Sequence, residues 1–128
     1  AKEIILYRKN KNIETSKELG DLIQNILPKY KINPATKTFQ ALRIAVNDEL
    51  GAIEEGLNKS FEVLKSKRRM SVISFHSLED RIVKRFFKEK EKNSEGILIN
   101  KKPIIASEIE IKENSRSRSA KLRIIEKI

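Results

Sequence analysis

The chain's single histidine stands in the run His76-Ser77-Leu78-Glu79-Asp80-Arg81, where an imidazole, a hydroxyl and two carboxylates follow one another. A His beside a Ser with a carboxylate nearby invites nucleophilic chemistry, but such a triad is assembled by tertiary geometry and adjacent side chains point apart. The same residues have a structural reading. Ser77 and Asp80 have the spacing of a capping box, with Ser77 capping a helix and Asp80 closing the box and pairing with Lys84 one turn on. On periodicity alone capping carries more weight, and His76 is then a polar residue at a strand end.

The elements around this run must position it. Met70 to Phe75 reads as a strand without clean polar alternation, as expected in a parallel sheet covered on both faces. The carboxyl end of such a strand is where ligands gather, which places His76 at a point of interest. A helix follows, with Leu78, Ile82, Val83, Phe86 and Phe87 as its buried stripe, fraying over Lys88 to Asn93. Lys65-Ser66-Lys67-Arg68-Arg69 makes the turn into the strand.

Upstream, Asn33 as cap and Pro34 at the first helical position open a long helix to about Asn58, with Phe39, Leu42, Val46, Leu50, Ile53 and Leu57 on one face. Gly51 and Gly56 each cost such a helix about 1 kcal/mol relative to Ala. Before it, Thr15 and Glu18 form another capping box, starting a helix at Ser16 that buries Leu19, Leu22, Ile23 and Ile26 and stops near Pro28. Lys29 to Ile32 is a connector, and residues 2–10 read as the tail of a helix. Phe61 to Leu64 is a helix end or connector.

Downstream, Asn93 to Gly96 is a turn and Ile97 to Ile99 a short strand. Ile104 to Glu113 suits a strand or a short capped helix, with the helix favoured. The last strand, Lys121 to Ile128, is expected to bury Leu122, Ile124 and Ile128.

Two further patches have the chemistry of phosphate contact. Lys37, Gln40 and Arg43 lie near the start of the long helix, where free amides welcome an anion. Arg116, Arg118, Lys121 and Arg123 lie among serines, and guanidinium groups grip phosphate in bidentate fashion. The first could equally be a solvated face opposite the apolar stripe, and the alternative for the second is a flexible basic loop before an edge strand.

Composition narrows the classes. The 128 residues suit one packed unit or part of a larger one, and 28 Lys and Arg against 18 Asp and Glu point to a polyanionic partner such as nucleic acid. Without cysteine and with one histidine, disulfides, thiolate chemistry and a protein-only zinc site are disfavoured. No apolar run has the length of a membrane span, so a soluble, cytoplasmic protein is the expectation.

Three stretches together bring a family into view: Asn33-Pro34-Ala35-Thr36-Lys37-Thr38-Phe39-Gln40-Ala41-Leu42-Arg43 and on to Leu50, Ser71-Val72-Ile73-Ser74-Phe75-His76-Ser77-Leu78-Glu79-Asp80-Arg81 and on to Lys84, and Arg116-Ser117-Arg118-Ser119-Ala120-Lys121-Leu122-Arg123. In that order they closely resemble the bacterial 16S ribosomal RNA cytosine-N4-methyltransferases. Matched runs of this length are more specific than a short motif.

The resemblance implies an α/β fold: the C-terminal part of a Rossmann-like class I methyltransferase sheet, preceded by helices of an inserted RNA-recognition domain. Residues 1–57 would end that helical domain and return to the catalytic one, and residues 58–128 would supply a strand, a helix and the terminal hairpin. Family members are about twice as long, and their Gly-Gly-His-Ser cofactor loop has no counterpart here. S-adenosylmethionine is then bound mainly by the half not represented, and no cofactor ligand is carried over. The family's Pro-Gly-Gly turn is replaced by Lys65 to Arg69, and Ser115 stands where a proline is usual.

The implied reaction is methylation of the N4 amine of a cytidine in 16S rRNA. His76, Ser77, Glu79 and Asp80 would line the base pocket, with Asp80 or His76 assisting proton removal. Lys37, Gln40, Arg43, Arg81, Arg116 and Arg118 would hold RNA. Two alternatives stand beside this: a non-catalytic basic RNA-binding module, and a fragment inactive without the other half. An unpaired Met70–Phe75 edge predicts a homodimer or pairing with that half.

Overall fold

A computed structural model describes residues 1–27 and 33–128, so the expected connector over Lys29 to Ile32 lies outside the described residues. The chain forms two compact units, 1–47 and 48–128. Among the described residues no helix is long and apolar enough to cross a membrane.

The first unit is helical: α1 (Lys2–Asn10), α2 (Ser16–Ile26) and α3 (Thr36–Asn47). Thr15 caps α2 by accepting from the Glu18 amide, as its spacing predicts. The Glu18 carboxylate reaches one residue further back, to the Glu14 amide, and also accepts from the Tyr7 hydroxyl at 2.8 Å and Lys11 Nζ at 2.8 Å. One carboxylate thus ties α1 to α2. Ile23 is buried, whereas Ile26, expected on the same face, is exposed. Asn33 Oδ1 accepts from the Ala35 amide in an Asx turn leading into α3.

The single long helix expected from Pro34 to Asn58 is instead two. Asp48 adopts a left-handed conformation (φ 48°, ψ 43°), and α4 (Glu49–Val63) begins after it. The periodicity of apolar residues crosses this break because Asp48 is polar and lies off the stripe, so no gap marks it. Gly51 makes the break feasible: a Cβ there would sit 2.5 Å from Asp48 Oδ2. Leu42 and Val46 are exposed, whereas Leu57 on the same stripe is buried.

In the second unit α4 and α5 (Ser77–Lys92) cover one face of a four-stranded sheet. β1 (Arg69–Ser74), β2 (Gly96–Leu98) and β3 (Ile104–Ile105) all pair with β4 (Lys121–Lys127), each antiparallel. The order is β1-β4-β2, so β1 is an edge strand rather than the member of a parallel, doubly covered sheet expected from its composition. β1 and β2 both oppose β4 and therefore run parallel to each other, joined through α5 with β4 between them.

Met70, Val72 and Ser74 face the helices, while Ile73 is 59% and Phe75 54% exposed on the other side. The core joins Leu57 and Phe61 of α4, Val83 and Phe87 of α5 and Ile125 of β4. β4 has the opposite face parity from that expected: Arg123 and Ile125 are buried, Leu122 and Ile124 are only half-buried, and Ile128 is exposed. A buried arginine was illegible as such in sequence. Its partner decides the register.

Lys127 Nζ donates to the Phe61 and Glu62 carbonyls and closes the C-terminal end of α4, where orphan carbonyls favour a cation. Residues 104–113 contain both elements their pattern allowed, β3 and then α6 (Glu108–Glu113) capped by Ser107. A 3-10 turn over Ser115–Ser119 leads into β4.

Candidate active-site cluster at the end of β1

At the end of β1 the chain turns into α5 through a capping box, but not the one its serine suggests. His76, in extended conformation (φ −142°, ψ 167°), is the cap. Its Nδ1 accepts from the Glu79 amide at 3.3 Å, and Glu79 Oε2 accepts from the Phe75 amide at 2.8 Å and the His76 amide at 3.2 Å. Ser77 is the first helical residue and Asp80 takes no part. An imidazole nitrogen two bonds from Cβ can reach the N3 amide as an asparagine oxygen does, which the usual cap preferences do not rank.

This hydrogen bonding fixes the ring. With the Nδ1 lone pair accepting, the neutral imidazole carries its proton on Nε2. That nitrogen is buried and lies 3.3 Å from Glu79 Oε1, without the alignment of a hydrogen bond. A second carboxylate joins them: ligand atoms of Glu49, His76 and Glu79 all fall within 4.8 Å of one another. The cluster resembles a metal-binding set, but an imidazole accepting at Nδ1 and protonated at Nε2 has no lone pair for a cation. Its chemistry as arranged is that of a held proton beside two carboxylates.

Asp80 does something else. Its Oδ1 accepts from Arg123 Nε at 2.7 Å and its Oδ2 from Arg123 Nη2 at 3.2 Å, with Lys121 Nζ at 3.5 Å. Both Asp80 and Arg123 are buried. The Arg123 hydrogen bonds, strengthened by its charge and that of Lys121 against the opposing effect of burial, hold the Asp80 carboxyl below its ordinary range. The expected Asp80–Lys84 pair is replaced by this link to β4. A carboxylate so committed has little affinity left for a substrate proton.

The remaining residues named from sequence are spread out. Ser77 and Arg81 are exposed on the first turns of α5. Arg116 lines a cleft with Ile73, Phe75, Asn114 and Ser117, next to the residue preceding His76. Arg118 is exposed in the same 3-10 turn. Lys37, Gln40 and Arg43 lie on α3 in the other unit. Glu49 was missed because a glutamate at a helix start gives no signal of a tertiary partner. Arg123, expected among the phosphate-contacting residues, is instead buried against Asp80, a partner that no local spacing signals.

A nucleotide cofactor would need a backbone cradle, and the glycines here do not build one. Gly20, Gly51 and Gly56 lie inside helices, and Gly96 in β2 is pressed against Ile125. None opens a strand-to-helix turn of the kind that accepts a dinucleotide or sulfonium nucleoside. These residues alone do not fit S-adenosylmethionine.

The model of the MraW methylase family matches residues 1–128. A ribosomal RNA small subunit methyltransferase H from Sulfurihydrogenibium sp. (strain YO3AOP1) is 53% identical over 128 residues, covering 97% of this chain and 44% of that protein. Proteins of the same name from Persephonella marina and Borreliella afzelii are 48% and 52% identical, each across 100% of this chain. The chain spans 44–45% of the length of these three relatives.

Proposed function

Because the chain belongs to the MraW methylase family, we propose that it supplies the RNA-facing part of an enzyme that methylates the N4 amine of a cytidine in 16S rRNA, acting on the small ribosomal subunit in the cytoplasm. The observation that carries this reading is the identity of about half the residues, along the whole chain, with proteins named as small-subunit rRNA methyltransferases. S-adenosylmethionine supplies the methyl group, and its binding falls to residues outside this chain. Residues 1–57 take the part of the end of the helical recognition domain and the return helix, and residues 58–128 that of the terminal section of a Rossmann-like sheet.

An exocyclic cytosine amine is a poor nucleophile because its lone pair is delocalised into the ring. The protein must orient it and take its proton as the nitrogen gains a bond. In this reading the His76–Glu79 pair stands at the base pocket: His76 orients the base, Glu79 Oε2 holds the turn, and Glu79 Oε1, which no backbone amide occupies, takes the proton that leaves the amine as the methyl bond forms. The paired carboxylate of Asp80 favours a positioning role, through α5 and β4, over direct proton transfer. Arg116 beside Phe75, Arg118, Arg81 and the α3 residues Lys37, Gln40 and Arg43 hold phosphates.

A second reading has its own support. β1 has a free edge among the described residues, and Ile73 and Phe75 beside it are exposed. Such an edge pairs with a strand from elsewhere, either another copy or the rest of a longer protein. By itself the chain then binds RNA without catalysing transfer.

The test uses full-length protein, small ribosomal subunits and labelled S-adenosylmethionine, with nucleoside analysis of the product. N4-methylcytidine is expected. His76→Ala should abolish product, whereas His76→Asn should restore the helix cap and stability without restoring turnover. Full activity in both variants would remove His76 from the chemistry, and label on another atom would refute the reaction. A cofactor titration of residues 1–128 alone should show no binding.

A further inference from the structure

From the segregation of charge on α5 we infer that the outer face of this helix, continued by Lys101 on the β2–β3 connection, is a docking surface for the phosphodiester backbone of structured RNA. The inference rests on the rRNA-modifying reading and extends it by giving the RNA a path along the protein. Arg81, Lys84, Lys88 and Lys92 follow one another at intervals of three and four, and so lie on one face, with Arg85 at its margin. All five are exposed. None forms an ion pair among the described residues, whereas Lys90, on the inner side, pairs with Glu95 and lies over the Phe61 and Phe86 rings.

The helix carries acids as well, but they are placed elsewhere. Asp80 is bound to Arg123 and Glu79 serves the cap. Glu89 lines the cleft against α4. Glu91 approaches the cationic stripe near its end, and Glu89 lies one turn from Arg85 at its margin, in the cleft they share. A helix selected merely for solubility intersperses its signs to gain i,i+4 attraction. Here Arg81/Arg85, Lys84/Lys88 and Lys88/Lys92 are like-charge pairs at that spacing, each opposing the helix unless a polyanion lies across them.

Tertiary structure extends the stripe beyond one element. Lys84 and Lys88 share a shallow cleft with Lys101, Leu98 and Asn100 at the edge of the sheet. From Arg81 to Lys92 the face is about 16 Å long at the helical rise per residue. It starts one turn beyond His76, so RNA lying on it would run from the candidate base pocket outward. The contacts are to backbone phosphate and carry no base preference.

The test measures binding of the full-length protein to a short RNA duplex at several salt concentrations. The variant Lys84→Gln/Lys88→Gln/Lys101→Gln is compared with Lys59→Gln/Lys65→Gln/Lys112→Gln, which removes the same charge elsewhere. Loss of three phosphate contacts should make the slope of log affinity against log salt shallower by about 2 to 3, and the control should keep its slope. Circular dichroism and urea midpoints establish that both variants are folded, and Lys88→Gln alone should shift the slope by about 0.7 to 0.9.

An unchanged slope in the folded triple variant, or an equal loss in the control, overturns the inference. So does tighter, stripe-dependent binding to anionic phospholipid vesicles than to RNA. Methyl transfer is assayed separately. A wild-type protein that binds RNA through this stripe but transfers no methyl group would refute the enzymatic reading and leave the surface standing.

Discussion

Asp80 and Arg123 lie 43 residues apart and meet in the interior of the second unit, where they form the bidentate pair that fixes β4 against α5. Their side chains are only 12% and 9% exposed, so each has lost most of its hydration and depends on the other. Removing one partner of a buried pair costs about 3–5 kcal/mol, chiefly because the survivor stays buried without compensation. The two single variants should not be equal. Arg123→Met leaves Asp80 with Lys121 at 3.5 Å, itself 38% exposed and able to adjust, so the loss should fall near the lower end. Asp80→Leu leaves Arg123 with no second carboxylate among the described residues and should fall near the upper end.

The double variant Asp80→Leu/Arg123→Met removes both charges and should lie within about 1 kcal/mol of the wild type, or above it. A remaining deficit of about 0.3–1 kcal/mol would reflect the lost carboxylate in the first turns of α5. Urea denaturation of the chain measures all four proteins. Acid adds an independent check. Because Arg123 lowers the folded pKa of Asp80 from its ordinary 3.8, the unfolded chain takes up this proton first as the pH falls. The contribution is therefore complete above that ordinary value and is lost as the pH drops through the lower folded one. The double variant should lack this component. A double variant as unstable as the worse single one, or singles costing under about 1 kcal/mol, would refute the reasoning. In full-length protein, recovery of methyl transfer by the double variant would show that Asp80 positions rather than accepts a proton.

Gly96→Ala should cost about 1–3 kcal/mol by overpacking, since its Cβ would come within 2.8 Å of Ile125 Cδ1 and 3.0 Å of the Glu126 carbonyl. Gly56→Ala meets nothing within 4 Å in an exposed helix interior and should stabilise by about 0.4–1 kcal/mol, so urea midpoints must move in opposite directions. Glu18 should titrate at about 2 by carboxyl NMR, because hydrogen bonds from Lys11, the Glu14 amide and Tyr7 favour its ionised form. Its folded pKa lies below the unfolded one, so the α1–α2 tie holds at pH 4 and loosens only as the pH falls toward 2. An ordinary titration near 4.5 would show that the tie is not made in solution.

The amino-acid sequence by itself determined what depends on neighbours a few residues apart. The Thr15 cap, the start of α2, the body of α5 and the strand before it follow from capping chemistry and apolar spacing, which act within one or two turns. Long matched runs likewise carried the family, since they preserve many local constraints at once. What the spacing could not contain was the identity of a distant partner. The stripe through Val46 and Leu50 reads as continuous because a single left-handed residue, Asp48, leaves apolar periodicity intact while ending a helix.

Tertiary structure decided the rest. β1 looked like an interior parallel strand, yet the last strand pairs with it antiparallel and leaves Ile73 and Phe75 uncovered. β4 looked apolar at Leu122 and Ile124, but the carboxylate arriving on α5 turned Arg123 inward and reversed the face. At the candidate site, sequence placed His76 at the right junction and assigned the cap to its neighbours. Three-dimensional contact gave the cap to His76 and Glu79, brought Glu49 beside them, and drew Asp80 away into an ion pair. The Asp80–Arg123 pair and the β1–β4 register join groups more than 40 residues apart, and only the folded chain brings those together.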